Sequence, residues 1–260
     1  MVKTATQLFI VLSLLFISSL THASNVIFNY LDANSEQEQV AKQAIIDSEI
    51  TQLFAALSQN HFPFKTPLTV EFGSDDGPLF DPEINTVQIP YSFYNQTLEY
   101  FTQHKYQEKY ALSAELAAID TLLHTLLHEG GHAYIADQNI PILGKEEDAV
   151  DNFAAIIMIE YVENGAKATI SAADMFGFES EDRPDYYQAD EYIDEHSFDL
   201  QRYFSTLCLV YGSDPETFSG LLDEIEDEYR DERKESCIEQ YQVLSNNWHH
   251  YLSKHQNSYF

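Results

Sequence analysis

Apolar positions change their spacing several times along the chain. Leu8 to Leu20 is an almost unbroken apolar run. Between Ser35 and Asn60, Val40, Ala44, Ile45, Ile50, Leu53, Phe54 and Leu57 recur at helical spacing, which predicts one helix. Leu68 to Phe72 and Thr86 to Phe93 are short and rich in β-branched and aromatic residues. The turn-forming stretch Gly73 to Pro82 separates them, so both read as strands. Pro90 cannot donate to a ladder and suits an edge position in the second. From Ser113 onward, helical patterns cover Ser113 to Gln138, Glu146 to Asn164, Ser197 to Tyr211 and Asp231 to His255. The expected fold class is α+β, mainly helical with a small N-terminal β-sheet.

Lys3, the apolar run and Thr21-His22-Ala23 follow the order of a basic start, an apolar stretch and a small residue at a cut. The run is short for a bilayer crossing. A retained N-terminal anchor is the alternative, but no second apolar segment supports it. The expectation is a bacterial Sec-type signal peptide over residues 1–23, then a single domain over 24–260, periplasmic or secreted. No repeat or Gly/Ser-rich linker divides that domain.

Charge narrows the partners. Forty-three acidic residues face 13 basic ones, a formal net charge of -30. Such a surface repels phosphate backbones and anionic lipid heads, which argues against nucleic acid and membrane partners. Only two cysteines occur, Cys208 and Cys237. In an oxidising compartment a lone pair most simply forms a disulfide.

The chemistry concentrates in His128-Glu129-Gly130-Gly131-His132, inside an apolar helical run. Side chains at i and i+4 leave one face of a helix, so two imidazoles can converge on a single ion. Glu129 then points toward the open coordination position. An ordinary helix bearing two histidines is the bland reading. Leu122, Leu123, Leu126 and Leu127 weigh against it, because burying two histidines and a glutamate without a partner is costly. The two glycines weaken a helix by up to about 1 kcal/mol each and imply close approach of a substrate or a neighbouring backbone. His124, one turn earlier, reads as a packing or supporting residue, and His249 and His250 as solvent-facing or structural.

A catalytic zinc needs a third ligand. Glu146-Glu147-Asp148 and Asp151 open the next apolar helix, with Glu147 and Asp151 on one face. One carboxylate can ligate while the other accepts from the far nitrogen of a ligand histidine. The same acids also suit a helix N-terminus electrostatically. Glu146 and Asp148 are the alternatives if the register shifts by one. His196, just before the Cys208 helix, is the candidate for steadying a developing oxyanion, with Tyr192, Arg202 and Tyr203 behind it.

HEGGH followed by a helix carrying Glu-x-x-x-Asp resembles the gluzincin, thermolysin-like group of metallopeptidases. That resemblance implies a zincin-like fold, with His128, His132 and Glu147 as zinc ligands, Glu129 as general base and Asp151 orienting a ligand histidine. HEGGHAYI, GKEEDAVDNFA and DEHSFDLQRYFSTLCLVYGSDP resemble more closely a bacterial family catalogued as a metallopeptidase domain of unknown function. The expected activity is zinc-dependent hydrolysis of peptide or protein substrates, with the strand at Thr86 to Phe93 as cleft rim. A non-catalytic zinc-binding protein and a zinc hydrolase of non-peptide amides or esters stay open as rivals.

Overall fold

The computed structural model describes residues 25–182, 186–189 and 191–256. The segment read as an export signal lies outside the described residues. Elements follow as β1 (Val26–Tyr30), α1 (Glu36–Asp47), α2 (Ile50–His61), β2 (Leu68–Phe72), β3 (Leu79–Asp81) and β4 (Thr86–Ile89). Then come α3 (Tyr91–Gln103), α4 (Tyr106–Tyr110), α5 (Ala114–Gln138), α6 (Glu146–Tyr161), α7 (Gly165–Glu181), α8 (Asp199–Ser213) and α9 (Asp227–Gln256). The architecture is α+β and mainly helical, with a four-stranded sheet in the N-terminal half. No helix among the described residues is long and apolar enough to cross a membrane.

The sheet runs β1-β2-β4-β3, with the first three strands parallel and β3 antiparallel to β4. Leu68, Val70, Phe72, Val87 and Ile89 form its buried face. They pack toward an aromatic centre in which Phe62 meets Phe54, Tyr134 and Phe153 edge-on, at ring separations of 5.6, 6.0 and 5.2 Å. α5 is apolar nearly all round, so it runs through the interior instead of lying on the surface.

Three sequence expectations require correction. The helix foreseen over Ser35 to Asn60 breaks at Ser48-Glu49, where Glu49 adopts a left-handed conformation with φ 57°. Ala41 and Ile45 bury one stripe, but its continuation would fall on polar Ser48, Glu49 and Gln52. The break shifts the phase so that Ile50, Phe54 and Leu57 turn inward instead. The strand foreseen over Thr86 to Phe93 ends at Ile89, and Pro90 becomes the N-cap of α3. Tyr91, Tyr94, Thr97 and Phe101 face the core with helical spacing. Finally, β4 is an inner strand, and the antiparallel edge is β3.

Cys208 on α8 and Cys237 on α9 form a disulfide, with Cα atoms 4.9 Å apart. The bond sits beside a satellite apolar cluster that includes Ala173, Leu207, Tyr211 and Leu222.

Candidate metal centre

α5 is fixed at both ends. Ser113 caps its start by accepting the backbone N–H of Leu116 at 3.2 Å. Near its end, the Asp137 carboxylate accepts the backbone N–H groups of Lys65 and Thr66 at 2.7 and 3.0 Å. The helix is thereby tied to the chain entering β2, and His128, Glu129 and His132 project from a rigid support. Core side chains press close on Gly130 and Gly131. A Cβ on Gly130 would stand 2.7 Å from Phe54 Cζ, and one on Gly131 would stand 3.0 Å from Phe153 Cδ1. The sequence suggested that substrate or backbone occupies this space; side chains occupy it.

α6 delivers its first turn to the same place. Glu147 Oε2 lies 3.0 Å from His128 Nε2 and 3.3 Å from His132 Nε2. One donor atom from each of the three residues falls within 4.8 Å of the others. Ligands about 2.0–2.1 Å from a common tetrahedral centre stand about 3.3 Å apart, so the set fits a divalent metal. His196 also reaches this carboxylate, with its Nε2 3.0 Å from Glu147 Oε2. Its ring lies nearly parallel to that of His128, and Lys145 Nζ holds its backbone carbonyl at 2.9 Å.

Behind the histidines stand two more acids. His128 Nδ1 lies 2.7 Å from Asp151 Oδ1. His132 Nδ1 lies 2.9 Å from Glu146 Oε1. Both contacts fix the tautomer and aim of a ring whose other nitrogen faces Glu147. Asp151 is held in turn by Arg202, whose Nε and Nη2 donate to its two oxygens at 2.7 and 2.8 Å. Arg202 also stacks over Phe176, 4.0 Å from the ring centroid. The guanidinium is thus committed to Asp151 and not free for an oxyanion. Tyr203 Oη donates to Glu224 at 3.0 Å, and Tyr192 is exposed against Phe198 and Tyr187. Of the four groups considered for the oxyanion, only His196 faces the centre.

Electrostatics follow this geometry. Burial opposes a charge on His128, but hydrogen bonds to Asp151 and Glu147 prevail and raise its pKa to about 9. Burial also opposes charge on Glu147, yet the three histidines pull its carboxyl well below the usual range. Burial likewise works against Asp151, and the Arg202 charge overrides it. For Glu129 desolvation outweighs the neighbouring histidines and moves the carboxyl upward.

The cleft in front of these groups encloses about 680 Å³. Pro78, Leu79 and Phe80 form the wall facing His128, Glu129 and Glu147. The rim is therefore β3 and its approach, not the strand foreseen at Thr86 to Phe93. A hollow of about 620 Å³ beside the disulfide lies away from these residues. Sequence reasoning missed the Arg202 clamp and the His132–Glu146 contact. A basic residue in the interior of a partly apolar helix, within so acidic a chain, was the available signal for Arg202.

No curated protein and no solved structure matches the chain significantly. Residues 30–252 match the model of the DUF4344 family, described as "Putative metallopeptidase". A match over most of the chain assigns it, and the protein belongs to that family.

Proposed function

We propose that the protein is a zinc-dependent metallopeptidase, with His128, His132 and Glu147 as metal ligands. The observation carrying this reading is the approach of Glu147 Oε2 to both Nε2 atoms, 3.0 and 3.3 Å away. The donor set of two imidazoles and one carboxylate suits zinc and leaves a position open. When bound, zinc would supply the Lewis acidity that makes water nucleophilic near pH 7 and polarises a carbonyl.

Glu129 takes the proton from the attacking water and returns it to the leaving amine nitrogen. His196 donates a hydrogen bond to the carbonyl oxygen as negative charge builds there. Asp151 and Glu146 keep the two ring nitrogens aimed at the centre, and Arg202 keeps Asp151 ionised. β3 is the edge strand of the sheet among the described residues and can pair with an extended peptide, which supports a peptide or protein substrate. Export to the periplasm or beyond, after loss of a signal peptide, agrees with the Cys208–Cys237 disulfide.

The test compares native protein with Glu129→Gln and Glu147→Ala. Glu129→Gln should retain one zinc per chain while peptide hydrolysis falls about 10²–10⁴-fold. Glu147→Ala should lose the zinc. Equal hydrolysis by native protein and Glu129→Gln would refute the enzyme reading.

A further inference from the structure

Beyond Glu129 the cleft continues into a smaller recess of about 170 Å³, sharing His128, Glu129, His196 and Pro78 with the main cleft. Phe93, Ala172, Met175 and Phe176 form the apolar part of its lining. The rest of the lining is polar, with Thr121, Thr125 and His124 on α5 and Glu179 on α7. His124 stands one helical turn before His128 and so leaves α5 on the same face. Its side chain is only 2% exposed, and its Nε2 has no hydrogen-bond partner. Leaving a buried nitrogen unpaired costs about 1–3 kcal/mol, so a native site normally supplies a partner. The metal set described above does not include His124.

We propose that this recess is a specificity pocket, in which His124 hydrogen-bonds a short, uncharged polar side chain next to the scissile bond. The inference rests on the peptidase reading and adds its substrate class: peptides carrying Ser, Thr, Asn or Gln at that position. Size sets the upper bound, because a hole of about 150 Å³ holds the six heavy atoms of benzene, so the recess takes one side chain of about that size. Charge sets the chemistry. Arg202, which also lines the recess, is engaged by Asp151, so an acidic side chain would meet the carboxylates of Glu129 and Glu179. Burial drives the pKa of His124 down to about 4, which keeps the ring neutral at physiological pH. A neutral imidazole pairs one donor with one acceptor nitrogen, and hydroxyl or amide groups complement either tautomer.

The experiment uses full-length, zinc-loaded protein and a peptide mixture in which one residue varies, with cleavage sites read by mass spectrometry. Native protein should favour Thr over its isostere Val at one fixed position beside the cut. In His124→Leu that Thr/Val ratio of kcat/KM should fall about tenfold, the effect of one neutral hydrogen bond. His124→Gln, which keeps a hydrogen-bonding tip, should restore part of it. Ala172→Leu narrows the recess from α7 and should move the preference to Gly and Ala. Zinc content and melting temperature, measured for every variant, separate these effects from loss of fold. Cleavage by native protein without a Thr/Val preference, or a preference unchanged in both His124→Leu and Ala172→Leu, would overturn the pocket assignment alone. Zinc-loaded native protein that cuts no peptide would overturn the proposed function and the pocket together.

Discussion

Asp151 holds His128 by its far nitrogen, Oδ1 to Nδ1 at 2.7 Å, from a position one helical turn beyond Glu147. The same carboxylate takes two hydrogen bonds from Arg202, so one acid links α5, α6 and α8 at the back of the site. Replacing it tests two effects that differ in kind. Asp151→Ala should weaken metal binding about 10–100-fold, measured by chelator competition. It should also lower stability by about 3–5 kcal/mol in urea, because the Arg202 charge is left buried and unpaired. Asp151→Leu combined with Arg202→Met should recover stability without recovering affinity.

A second pair of acids predicts how stability responds to pH. Burial raises the pKa of Asp120 and of Asp174 from 3.8 to about 6, against the opposing hydrogen bonds from Ser171 and Tyr106. The folded chain therefore binds these protons more tightly than the unfolded chain does. Their contribution is fully favourable below pH 4 and is lost as pH rises through 6. Asp120→Asn keeps the acceptor for Ser171 and removes the titration. Its melting temperature should exceed that of native protein at pH 8, and the gap should close as pH falls through 6 toward 4. A gap independent of pH would contradict this account.

The glycines of the His-Glu-Gly-Gly-His turn give a third expectation. Alanine ordinarily strengthens a helix by up to about 1 kcal/mol over glycine. At Gly130 the new methyl would meet the fully buried Phe54 ring at 2.7 Å, and that ring is confined by Phe28 and Phe62. Gly130→Ala should be destabilising by about 1–3 kcal/mol. Gly131→Ala, whose nearest contacts are 3.0–3.2 Å, should cost less. Chemical denaturation of the two variants gives the ranking.

Much of the fold and the candidate residues could be read from the sequence because the relevant signals are local. His128 and His132, or Glu147 and Asp151, declare a shared face by their spacing alone. The long helices from α5 onward are marked by sustained apolar periodicity, and the two cysteines by their scarcity. The missing parts depend on distant partners or on very short segments. β3 has three residues and is defined by pairing with β4. α3 begins at Tyr91, just after its cap Pro90, and β-forming Tyr91 and Phe93 imitate a strand until Tyr94, Thr97 and Phe101 are counted at helical spacing. α7 buries largely small residues such as Ala168, Ala172 and Ala173, which leave only a weak stripe. The Asp151–Arg202 link spans 51 residues, and no local pattern encodes it.

α9 acts on the site without touching it. Its Cys237 is bonded to Cys208 of α8, the helix that carries Arg202. Farther along, Tyr241 and Ser245 donate to Glu160 near the end of α6, while Trp248 packs against Phe153 at 4.9 Å. The two helices that supply the acids and the guanidinium are thus buckled together by α9.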